Sequence, residues 1–113
     1  MYEVSDLEAV NEVFTEEELM LYRNASKKKG LTYDAILRGE PKTNNKDGNK
    51  KHIIPEDKME SFNTNISIGE REINMVALSG KMYTIQIENK EIRDAMKLLF
   101  ELAVKGLKKQ KHS

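Results

Sequence analysis

Glu88, Asn89 and Lys90 form a Glu-x-Lys triplet, with Glu72 a short distance upstream and Glu12 or Glu16 nearer the N-terminus. Carboxylates in such a set can hold a hard divalent cation, and a nearby ammonium can polarise the water that the cation activates. The triplet is a weak signal, because a chain with 34% charged residues produces Glu-x-Lys by chance. A strand end followed by a helix cap accounts for the same residues. His52 and His112 are the only histidines, and both fall in segments that patterning reads as mobile. Neither has the rigid neighbours that a general base or metal ligand requires. Cysteine is absent, which removes thiolate nucleophiles, thiolate metal sites and disulfides and fits a reducing compartment. No Gly-rich phosphate loop and no Ser/His/Asp arrangement stands in the chain. The expectation is a non-enzymatic protein without catalytic residues, metal or cofactor.

The elements that must position these residues are clearest between Phe62 and Leu107. Phe62, Thr64, Ile66 and Ile68 alternate with polar residues, as in a strand with one wet face. Ile73, Met75 and Ala77 alternate with Asn74, Val76 and Leu78 in a second strand. Ser79 and Gly80 give a two-residue hairpin signal before a third strand from Met82 to Ile87. The period then changes. Ile92, Ala95, Met96, Leu99, Leu102, Ala103 and Leu107 recur at spacings of 3 and 4 on one helical stripe, with Asn89 as N-cap. Leu99, at the centre of that stripe, is expected to be buried.

Before this region, Ser5 is placed to cap a first short helix, and Thr15 with Glu18 forms a capping box for a second, from Glu16 to about Lys29. Gly30 ends it, and Thr32 is placed to cap a third, through Ile36 and Leu37. From Pro41 to His52 no apolar residue occurs, so nothing offsets the entropy of ordering the chain. The expected fold is α+β: an N-terminal helical hairpin, a mobile linker, and a three-stranded antiparallel meander packed by a C-terminal amphipathic helix. The expected divisions are a helical segment over 1–40, a flexible basic linker over 41–55, and sheet plus helix over 56–113, within one small domain.

Two resemblances touch function. Thr15 to Gly39, with its break at Gly30 and Leu31, resembles the opening of a helix-turn-helix. The second helix of that motif would then carry Arg38 as its only basic residue, against a recognition helix's need for several polar and basic side chains. The order helix, three antiparallel strands, helix, with Glu72, Glu88 and Lys90, resembles the core of the PD-(D/E)xK nucleases, which implies a metal-dependent nuclease. Glu72 stands where that family usually has Asp, and the chain ends before the further strand that its sheet expects.

Charge and hydropathy bound the partners. Formal net charge is zero, yet residues 1–18 carry acidic side chains and no basic one. Basic side chains collect at Lys42, Lys46, Lys50, Lys51, Lys108 and Lys109, which could track a nucleic-acid backbone, though weakly and without aromatic interleaving. No apolar run approaches membrane-spanning length, so a cytoplasmic, soluble protein is expected. The C-terminal helix is apolar beyond a narrow seam, and Met96, Leu99, Phe100 and Ala103 are the expected contacts for a protein partner or a second copy. The reading is a small regulatory or accessory protein acting by protein contact. A nucleic-acid-binding regulator is the first alternative and a metal-dependent nuclease the second.

Overall fold

The computed structural model describes residues 1–41 and 49–111. Six strands form one mixed sheet: β1 (Tyr2–Asp6), β2 (Asp34–Arg38), β3 (Lys50–Ile54), β4 (Thr64–Ile68), β5 (Glu72–Ala77) and β6 (Tyr83–Glu88), in the order β3-β2-β1-β4-β5-β6. β1, β2 and β3 are mutually parallel, and β4, β5 and β6 continue from β1 in antiparallel pairs. Helices α1 (Leu7–Val13) and α2 (Glu16–Lys28) stand between β1 and β2, and α3 (Lys90–Lys111) follows β6.

This overturns the expected architecture of a three-stranded meander behind a helical hairpin and a linker. The segments that alternate do form β4, β5 and β6, but they are half of a larger sheet. The other half comes from stretches read as helix or linker. Ala35, Ile36 and Leu37, read as a short capped helix, are the buried centre of β2. A strand inside a parallel pairing is apolar on both faces, so its sequence lacks the period-2 signal and looks like a buried helical turn. Lys50–Ile54, inside the segment read as linker, forms the edge strand β3. Its lysines suit an edge, where charge discourages pairing with another chain. Within the expected mobile stretch, residues 42–48 lie outside the described residues, and Asn49 accepts from the Tyr33 amide at 2.8 Å. With β1 and β2 parallel, α1 and α2 supply the crossover that two parallel neighbours require. The helix-turn-helix reading of Thr15 to Gly39 fails with them, because its second helix is β2.

The expected two-residue hairpin is also replaced. Ala77 pairs with Tyr83, leaving a five-residue loop from Leu78 to Met82, in which Gly80 takes the left-handed conformation at φ 65°. Two caps are found as expected. The Glu18 amide donates to Thr15 Oγ1 at 3.1 Å while the Thr15 amide donates to Glu18 Oε1 at 3.2 Å, and the Ile92 amide donates to Asn89 Oδ1 at 3.0 Å. The cap of α1 is Asp6 rather than Ser5.

Residues opposite one another across a register share a face of the sheet. Tyr2, Val4, Ile36, Ile66 and Ile68 therefore line one face, and α3 covers it with Met96, Phe100, Val104 and Leu107. On the opposite face, Val76 and Leu78 join Ala9, Val10, Val13, Phe14 and Leu19 of the α1–α2 segment. The sheet is a middle layer, as a sheet with parallel strands must be to hide both faces.

Asp6 joins these layers. It is the last residue of β1 and the N-cap of α1, and it is fully buried. Its Oδ1 accepts from the amides of Glu8 and Ala9 and, at 3.1 Å, from Arg38 Nη1 at the end of β2. Its Oδ2 accepts from the Ser61 hydroxyl and from the Phe62 amide at 3.0 Å, in the segment that leads into β4. Arg38 is buried as well. It donates to Glu8 Oε1 and to the carbonyls of Met59 and Glu56, so its guanidinium holds the 56–62 segment against the sheet. Burial alone pushes the Asp6 carboxyl up, but donors from Ser61, Arg38, Phe62 and Ala9 outweigh it and hold the group below its ordinary value. A carboxyl with a depressed folded value adds stability above its unfolded value, near about 3.9, and loses it as pH falls through the folded value. Asp6→Ala should therefore destabilise the protein by about 3 kcal/mol at neutral pH, because it takes the more buried of two carboxylates from a buried guanidinium and leaves the Ala9 and Phe62 amides without their acceptor. In urea unfolding, the gap between variant and unmodified chain should narrow below about pH 4.

Candidate interaction surface

Phe100 fixes how α3 lies. At 100° per residue, Met96, Val104 and Leu107 fall within about 40° of its direction. All three belong to its core cluster, and the ring of Phe100 sits 5.1 Å from that of Tyr2. The Arg93 guanidinium donates to the Gly69 carbonyl at 2.7 Å and pins the start of the helix to the β4–β5 turn. The consequence is a rotation away from the expected stripe. Phe100 is 4% exposed and Leu99 is 59% exposed. Leu99 is thus not the buried centre of the helix. A phenyl ring buries more area than a leucine side chain, so the helix turns toward Phe100 and leaves its leucines outside.

The surface that results is apolar and broad. Leu98 and Leu102 are 57% and 53% exposed on the side away from the sheet, and Ile92 and Ala95 are exposed beside them. Between α3 and the sheet runs an open groove of about 430 Å³, walled by Val4, Ile36, Ile54 and Ile66 below and by Leu99 and Ala103 above. Of the four expected contact residues, Phe100 is core and Met96 is half-buried in the same cluster, whereas Leu99 and Ala103 lie exposed at the groove. The leucines that sequence reasoning left out of the contact set are Leu98 and Leu102. Leu102 belongs to the apolar stripe, whereas Leu98 lies off that stripe's axis. Contiguous exposed apolar surface of this kind marks interaction sites, whereas scattered single residues do not.

The lysines divide between two elements. Lys50 and Lys51 lie on β3, and Lys108 and Lys109 in the last turns of α3. Leu107, beside the basic end of the helix, and Ile54 of β3 both line the groove between α3 and the sheet. Lys42 and Lys46 lie outside the described residues. His52, expected in a mobile segment, stands on β3 with Nε2 2.8 Å from Asp34 Oδ1 of β2. The parallel pairing of two strands that lack alternation brings these residues together, which is why their sequence spacing carried no signal.

The Glu-x-Lys triplet ends β6 and begins α3, with Glu88 directly across the strand pair from Glu72. Asn89 is occupied as a helix cap, and Glu72 Oε2 accepts from the Arg71 amide at 3.3 Å. Among the described residues, no three acidic or histidine side chains come together in a way that could hold a metal ion. Among the same residues, no helix is long and apolar enough to cross a membrane.

Comparison with protein families, with curated proteins and with solved structures finds no match to this chain. Its surfaces must be read from their own chemistry. The buried and exposed sides of α3 should separate cleanly in thermal or urea unfolding of dilute protein. Phe100→Ala should cost about 3–5 kcal/mol, as truncating a buried aromatic does. Leu99→Ala should stay within about 0.5 kcal/mol of the unmodified chain.

Proposed function

We propose that this chain is a small regulatory or accessory protein that acts by protein–protein contact rather than by catalysis. The observation that carries this reading is the outward face of α3, where Leu98, Leu99 and Leu102 lie exposed together on a helix of 22 residues that Asn89 caps at its N-terminus. Such a face costs solubility in an isolated chain, and an amphipathic helix with unused apolar positions is a standard recognition element for another helix or a groove. The helix is also anchored independently of those leucines, through Phe100, Val104 and the Arg93–Gly69 bond. Contact on the outer face therefore need not disturb the core.

The basic ends of α3 and β3 support nucleic acid as the competing partner, through sequence-independent phosphate contacts. The two readings part in one experiment. Immobilised protein is exposed to native extract with and without nuclease, beside a Leu98→Glu/Leu102→Glu variant. Retention of a protein that survives nuclease and disappears with the variant is the expected outcome. Recovery that requires intact nucleic acid and ignores the leucine changes would overturn the proposal in favour of phosphate binding.

A further inference from the structure

The outward face of α3 carries a pattern of its own. Glu91, Ala95, Leu98, Leu102, Lys105 and Lys109 recur at spacings of four, three, four, three and four, which is the alternation of a coiled-coil seam. All six are exposed, and Leu98 and Leu102 point about 160° away from Phe100. The seam is apolar at its middle, acidic at its first position and basic at its last two. A strip ordered in this way complements itself when reversed. Resting on the contact reading above, we propose that the occupant of this face is a second copy of this chain, its α3 packed antiparallel along the same seam.

The register follows from the spacing. Placing Leu98 against Leu102 of the second copy, and Leu102 against its Leu98, gives a centre of four leucines about the two-fold axis. Ala95 then lies against Lys105 of the second copy, where the small side chain leaves room for the lysine stem to cross. Glu91 lies against Lys109 at both ends. The flanking positions agree with this arrangement. On one side Leu99 meets its own copy near the axis, which covers a side chain that the fold leaves 59% exposed. On the other side Asp94 approaches Lys108 of the second copy. Glu101 meets its own counterpart there, with Lys97 of the same helix 3.8 Å away to offset the charge. A parallel pair would set Glu91 against Glu91 and the lysine-rich ends against each other, so charge selects the antiparallel form. Because Phe100, Met96 and Val104 face the sheet, both cores stay intact.

One helix pair buries less than a standard interface, so the dimer should be weak and assemble in the micromolar range. The test is light scattering of the full chain from about 1 to about 500 μM, concentrations chosen to bracket that range. The expected result is a mass that rises from monomer to dimer. Leu98→Glu and Leu102→Glu should each hold the chain monomeric with an unchanged far-UV spectrum. Glu91→Lys or Lys109→Glu alone should weaken association about tenfold, since each reverses two exposed contacts. The two reversals together should restore it, and this arm does not depend on how the leucine variants fold. A monomer at every concentration overturns the proposal, as does a dimer that survives Leu102→Glu or ignores the single charge reversals. A monomer that still captures a protein from extract through the same leucines removes the second copy and leaves the contact reading in place. Loss of both removes both.

Discussion

The carboxylate of Asp6 is the constraint on which most of this structure depends. One side chain ends β1, begins α1, pairs with the end of β2 through Arg38 and fastens the approach to β4 through Ser61 and Phe62. A charge without solvent must have its lone pairs filled, so each donor is held to a narrow geometry. Arg38 extends the same constraint, because a buried guanidinium needs acceptors in its plane and finds two backbone carbonyls in the 56–62 segment. The network thereby ties the ends of β1 and β2, the start of α1 and the segment before β4 at one point.

Everything that α3 presents follows from the register of the sheet. Tyr2, Val4, Ile36, Ile66 and Ile68 form one apolar face because β1, β2 and β4 are aligned as they are. Phe100 takes the deepest place on it, and a helix can turn only one face inward. The outward leucines are the remainder of an apolar helix that is wider than the surface beneath it. Their exposure is a consequence of packing geometry, and the proposed contact rests on it.

Local signals in the sequence were sound where one short stretch contained all the information. The capping box of Thr15 and Glu18 and the Asn89 cap rest on bonds between residues three apart, and both are found. The alternation in 64–68 and 72–77 marks strands because one face of each meets different surroundings from the other. The 3.6-residue period of α3 marks a helix for the same reason. Each of these depends on the environment only through a simple inside and outside.

Which inside a residue meets is a long-range matter. Tyr2–Asp6, Ala35–Leu37 and Lys50–Ile54 become strands because they pair with one another across large sequence separations, and Ala35–Leu37, buried on both faces, leaves no period to read. Asp6 looked like one of several acidic residues near the N-terminus, and only the fold brings it Arg38, Ser61 and Phe62. The choice between Leu99 and Phe100 as the buried centre of α3 was likewise open in the sequence, since both lie on apolar arcs of the same helix. By itself the chain determined the caps of α2 and α3, its antiparallel strands and the amphipathic character of α3. The tertiary structure alone decided the six-stranded sheet, the buried Asp6–Arg38 pair and the face of α3 left to solvent, because each requires surfaces that exist only once distant segments have met.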